Sequence, residues 1–118
     1  MKKILCIMSI ILAMILSCTS VMAYPDVAET ANYYEAVDTL NILGVMVGDD
    51  EGNFNPDKEI TRAETATIIT RIKALPAFGE TDFSDVSKSH WAAGYINAAA
   101  QSGIIHGYGD GTFGPEDP

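Results

Sequence analysis

Ile60-Thr61-Arg62-Ala63-Glu64-Thr65-Ala66-Thr67-Ile68-Ile69-Thr70-Arg71-Ile72 is the stretch that decides what kind of fold this chain adopts. Thr61 followed three residues later by Glu64 spells a capping box. The hydroxyl accepts from the Glu64 amide and the carboxylate reaches back to the Thr61 amide, so a helix begins at Arg62. At about 100° per residue, Thr65, Ile68, Ile69 and Ile72 fall on one side, and Ala63, Ala66, Thr67 and Thr70 nearly opposite. One face is bulky and the other small, which predicts a helix with two buried faces, central to its unit. Arg62 departs from the pattern. It puts a cation in the first turn, where unpaired amides and the helix dipole favour an anion by a few tenths to about 1 kcal/mol.

Working outward, the flanking chain repeats at an offset of 59 residues, which carries Asp26-Val27 onto Asp85-Val86. The same offset carries Val37 to Ile96, Gly44 to Gly103, Gly48 to Gly107, Gly52 to Gly111, Phe54 to Phe113 and Pro56 to Pro115 without a gap. Each unit opens with an Asp-Val turn and continues with an amphipathic helix. The first is predicted over 32–43 with Ala36, Val37, Leu40 and Leu43 as its stripe, the second over 90–102 with Ala92, Tyr95, Ile96 and Ala99. Gly44 and Gly103 stand where left-handed C-caps belong. A short apolar run and a Gly-rich turn follow, with Phe54 or Phe113 expected to plug the core beneath. In the first unit the capping-box helix comes next. In the second, its copy would begin at position 120, past Pro118, so we expect a fragment of a longer protein or a shortened gene product. The predicted organisation is 1–23 leader, 24–73 first repeat, 74–82 linker with Pro76 and Gly79, and 83–118 an incomplete second repeat. The fold class is mainly α, in tandem helix-loop-helix units.

The leader is read from Lys2 and Lys3, an apolar core from Ile4 to Leu16, and the small-residue site Val21-Met22-Ala23. That core is short for a membrane span, which needs about 20 apolar residues. Cleavage after Ala23 is expected, with no membrane insertion of the remaining chain. Ile15-Leu16-Ser17-Cys18 offers an alternative lipoprotein site at Cys18, although Leu16 is unusual there. Cys6 and Cys18 both lie in the leader, so cleavage after Ala23 leaves no thiol and no disulfide. Losing Lys2 and Lys3 moves the formal charge from −9 to −11, which disfavours nucleic acid and anionic membranes as partners. It leaves room for an anion at a focused site, because Lys58, Arg62, Arg71 and Lys73 cluster. Arg71 and Lys73 suit a helix C-terminus, which is their ordinary reading.

The motifs together resemble the S-layer homology family. The second unit matches through Phe83-Ser84-Asp85-Val86, Trp91-Ala92, Gly103-Ile104-Ile105-His106-Gly107 and Asp110-Gly111-Thr112-Phe113-Gly114-Pro115, and the first supplies Ile60-Thr61-Arg62-Ala63-Glu64. The resemblance implies a bundle usually built from three repeats, with grooves that bind secondary cell-wall polysaccharide or a peptidoglycan-linked glycan, often pyruvylated. It also implies location in the cell wall or S-layer, with self-assembly there. It carries Arg62 over as the anion contact, Thr61 as the residue shaping the helix start, and Gly48, Gly107 and Trp91 as groove candidates. The first unit departs from the family pattern, with Asn32-Tyr33-Tyr34 in place of the Trp-Ala and Glu51-Gly52-Asn53-Phe54 in place of the Asp-Gly-Thr-Phe.

Plainer roles stand beside these. Arg62 could form a surface ion pair with Asp57 or Glu59, worth at most about 1 kcal/mol. Asp49-Asp50-Glu51-Gly52-Asn53 invites calcium but lacks the EF-hand spacing, so a solvated turn is expected. His90 and His106 have no metal spacing, and Trp91, Tyr95, Tyr33 and Tyr34 can serve as core or groove wall as well as sugar platforms. No G-x-S-x-G, H-E-x-x-H or Cys nucleophile occurs, so no catalytic residue, metal or cofactor is assigned. The expected function is a non-enzymatic cell-wall anchor. Two alternatives are an anchor for an enzyme domain beyond Pro118 and a self-associating repeat protein without a wall ligand.

Overall fold

A computed structural model describes residues 24–118. The leader, its two cysteines and both processing sites lie outside the described residues. Among these, three helices and no strand occur: α1, Tyr34–Ile42; α2, Arg62–Ile72; and α3, Ala93–Gln101. Both α1 and α3 are shorter than the sequence predicts. Their caps, Tyr33 and Ala92, make no side-chain cap hydrogen bond, and tight backbone turns lead into each helix instead. Tyr34 N donates to Ala31 O at 3.0 Å and Ala93 N to His90 O at 3.0 Å. At the other ends Gly44 and Gly103 take φ of 67° and 71°, as their C-cap positions require.

The 59-residue repeat is also visible as two matching hydrogen-bond clamps. The Asp26 carboxylate accepts from Phe54 N and Asn55 N at 2.9 and 2.6 Å, while Asp85 accepts from Phe113 N and Gly114 N at 2.8 and 2.7 Å. Each aspartate thereby ties the opening of its unit to the Gly-rich turn about 28 residues on. Beneath the clamps lie paired rings, Tyr24 with Phe54 at 5.4 Å and Phe83 with Phe113 at 5.3 Å between centroids. Phe113 plugs its turn completely, and Phe54 is half-buried.

The larger core lies between α2 and α3. Ala63 and Ala66 of α2 meet Ala92, Ala93, Ile96 and Ala99, with Val86 and Phe113 closing the edges. Small side chains let the two backbones approach, and Thr70 Oγ1 donates to Tyr95 O at 3.1 Å across the seam. Full burial of Ile96 and Phe113 stabilises the core by about 1.5–3 kcal/mol each. The expectation of two buried faces is corrected here, because α2 buries only the small one. Thr65, Ile68 and Ile69 are half-exposed and Ile72 is exposed, since the alanine-lined surface of α3 accommodates the small face alone. The α1 stripe is likewise thinner than predicted. Val37 is buried with Tyr24 and Val27 in a second cluster, but Ala36 and Leu43 face solvent because neither α2 nor α3 packs on α1.

Candidate functional site

The start of α2 carries most of the candidate residues. Thr61 builds the predicted capping box, with Glu64 N donating to Thr61 Oγ1 at 3.2 Å and Thr61 N to Glu64 Oε2 at 2.8 Å. Burial pushes the Glu64 carboxyl up, but the Thr61 amide and the Lys58 ammonium outweigh it and hold it below the ordinary range. The next two amides are taken by the second unit: Arg62 N donates to Asp117 O at 2.8 Å and Ala63 N to Pro115 O at 2.9 Å. The expected cluster of free amides beside Arg62 is therefore absent, because backbone carbonyls from 50 or more residues downstream complete the cap.

Arg62 extends away from that cap onto the second unit. Its Nε donates to Phe113 O at 2.8 Å and its Nη2 to His106 O at 2.7 Å. The guanidinium carbon lies 4.8 Å from the centroid of Tyr108 and 4.6 Å from that of Phe113, within cation–π range. Neither Asp57 nor Glu59 pairs with it. Five N–H groups minus these two bonds leave three uncommitted. Gly107 follows His106 directly, and a Cβ there would collide with the Phe83 ring and the Thr112 carbonyl. Tyr108, which sequence reasoning passed over, flanks the cation. Its hydroxyl donates to Asp117 Oδ2 at 2.9 Å, a bond that holds its proton above the ordinary phenol range.

The other three candidates, Thr61, Gly48 and Trp91, line an open groove of about 690 Å³ between the units. One wall is the first unit's turn from Val45 to Asp50 with Phe54 to Pro56. The cap residue Thr61 and Glu64, Thr67, Ile68 and Arg71 of α2 also line it, as do Trp91 and Glu116 of the second unit. Trp91 is 59% exposed, and its ring stacks on His90 with centroids 5.7 Å apart. His90 is held in turn, accepting from Ala92 N at Nδ1 and meeting Glu116 Oε1 at 3.1 Å through Nε2. Asp49 closes a turn instead of facing an ion. The Asn53 amide, with Glu51 N and the Asn55 side chain, holds its carboxyl low. Among the described residues, no three His, Cys, Asp or Glu side chains gather as a metal ion would need. The five candidates thus divide into a groove set (Thr61, Gly48, Trp91) and a loop set (Arg62, Gly107).

This architecture defines a helical repeat module with an inter-unit groove and aromatic-lined cations. Residues 23–66 and 82–118 match the S-layer homology domain, and the chain belongs to that family. It is 44% identical over 81 residues, 69% of its length, to the surface-layer 125 kDa protein of Lysinibacillus sphaericus. It is 38% identical over 88 residues, 70% of its length, to a surface layer protein of Brevibacillus choshinensis. With the S-layer protein sap of Bacillus anthracis it shares 38% over 93 residues, 75% of its length. The matches span 7%, 8% and 11% of those proteins. Membership places the chain among the repeat domains of S-layer and other cell-surface proteins.

Proposed function

We propose that this chain tethers its protein to the wall by binding secondary cell-wall polysaccharide, with a carboxylate-bearing sugar such as a pyruvylated residue as the preferred unit. The reading takes 1–23 as an export leader, 24–73 and 83–118 as the repeats and 74–82 as the linker. The observation that carries it is the exposed Trp91, which lines the inter-unit groove together with the turn that contains Gly48. Indole faces pack against the apolar faces of sugar rings, and a groove of this volume lies in the usual range for small-molecule sites. At the loop set, Arg62 keeps three N–H groups and is oriented by two carbonyls and two rings, which suits bidentate capture of a carboxylate.

The test is retention of the purified chain on wall sacculi before and after extraction of their polysaccharide. Retention should require the polysaccharide and should fall at least about tenfold for Trp91→Ala with helical content unchanged, in line with the loss of a stacking anchor. Equal retention on extracted sacculi would overturn the proposal.

A further inference from the structure

Arg71 reads from sequence as a cation placed for the α2 dipole, yet its surroundings ask more of it. It lines the groove at the opposite end of α2 from Thr61, about 15 Å along the axis. Two cations line this groove, Lys58 and Arg71. Lys58 is engaged, 3.4 Å from Glu64 Oε1. Among the described residues, which include all sixteen acidic ones, no carboxylate lies within ion-pair distance of Arg71. Its Nη1 donates to Val45 O at 3.2 Å, and its guanidinium carbon stands 5.4 Å from the Tyr95 centroid. One bond from five N–H groups leaves four unspent, on a fork whose orientation a carbonyl and a ring already hold.

The acidic residues around it do not neutralise it. Glu64 serves the Thr61 amide and Lys58, Asp49 serves its own turn, and Glu116 meets His90. Asp50 and Glu59 also line the groove, so a polyanion would be repelled while a single carboxylate delivered to Arg71 would not. We propose that Arg71 is a second anion contact, holding the carboxylate of a sugar whose ring lies along the groove toward Trp91. Arg62 serves the separate loop set on the second unit. This assignment rests on the wall-polysaccharide reading above.

The experiment compares binding of the full chain to intact sacculi and to sacculi whose carboxylates have been amidated with carbodiimide and methylamine. Wild type should bind intact walls at least tenfold more tightly. Arg71→Gln should weaken binding to intact walls about tenfold and leave binding to amidated walls unchanged. A purely structural role would weaken both equally, and that result, or no change in either, overturns the assignment. Wild type failing to bind intact sacculi overturns the wall reading itself, and wild type binding both walls alike overturns anion recognition. A second measurement needs no variant: the Arg71 Nε–H resonance should shift when soluble wall polymer is added, and its constancy at saturation overturns the assignment.

Discussion

Replacing Gly48 with alanine tests whether this glycine serves the groove through space or through backbone shape. A Cβ at Gly48 would lie 2.6 Å from Tyr24 Cε1 and 2.8 Å from Asn53 O. Neither neighbour can retreat easily. Tyr24 is 1% exposed, its hydroxyl donates to Met46 O at 2.7 Å and accepts from Asn41 Nδ2 at 2.9 Å, and Asn53 O accepts the Asp49 amide at 2.9 Å. Overpacking of this kind costs about 1–3 kcal/mol. The φ of +75° adds about 1–2 kcal/mol for any residue with a Cβ. A total near 3 kcal/mol lowers Tm by roughly 12–24 °C in a domain of this size. Gly44→Ala separates the two effects, because φ there is +67° but nothing lies within 4 Å of the added carbon. Only about 1–2 kcal/mol should be lost there. Thermal melts by circular dichroism at neutral pH give both numbers. Equal Tm values for the two variants would refute the steric argument and leave Gly48 free to act through direct contact with a ligand.

Arg62→Ala should destabilise the fold by about 2–3 kcal/mol, because it deletes two charge-assisted hydrogen bonds and a partly exposed cation–π contact. Urea unfolding measures this, and a loss below about 0.5 kcal/mol would mean the side chain is not seated on the second unit in solution. The aspartate clamps predict acid sensitivity. The Phe54 amide, and then the Asn55 amide, hold Asp26 below its ordinary value of 3.8; burial pushes Asp85 up, but the Phe113 and Gly114 amides outweigh it and hold it low as well. Stability from these groups is complete above that ordinary value and is lost as pH falls through the lowered ones. The double variant Asp26→Asn, Asp85→Asn should therefore melt lower than wild type at about pH 6 and show a smaller further fall in acid; parallel curves would exclude the clamps as the source.

Local chemistry was the legible part of this chain. The capping box at Thr61 and Glu64 and the turn glycines at 44 and 103 depend on neighbours within four residues and form as read; of the stripe Ala92, Tyr95, Ile96 and Ala99, Tyr95 is only half-buried and Ala92 caps the helix from outside it. The choice between the two faces of α2 depended on what the partner helix offers, and an alanine-lined α3 selected the small face. The repeat offset contained a sign of the clamps, since Asp26 and Asp85 are in register with Phe54 and Phe113. A carboxylate that reaches 28 residues along the chain leaves no local pattern, so its role was not visible. The seat of Arg62 is harder still to read. Its partners are backbone carbonyls 44 and 51 residues away, and carbonyls have no side-chain identity. Arg71 was read through the dipole because its lack of a counter-ion is a property of the packed groove.

The capping of α2 by Pro115 and Asp117 also bears on how such a chain must be cut and made. A repeat in the sequence is not a repeat in the fold, because the helix that ends the first unit is finished by backbone from the second. Trimming the chain anywhere between 74 and 112 would remove the carbonyls that cap Arg62 and Ala63, and a cut ahead of α3 would also strip the alanine face bare. A single-repeat fragment is therefore expected to be sticky and poorly cooperative. During synthesis, α2 waits some fifty residues for its lid, so the two units should acquire their protection from hydrogen exchange together, as one step.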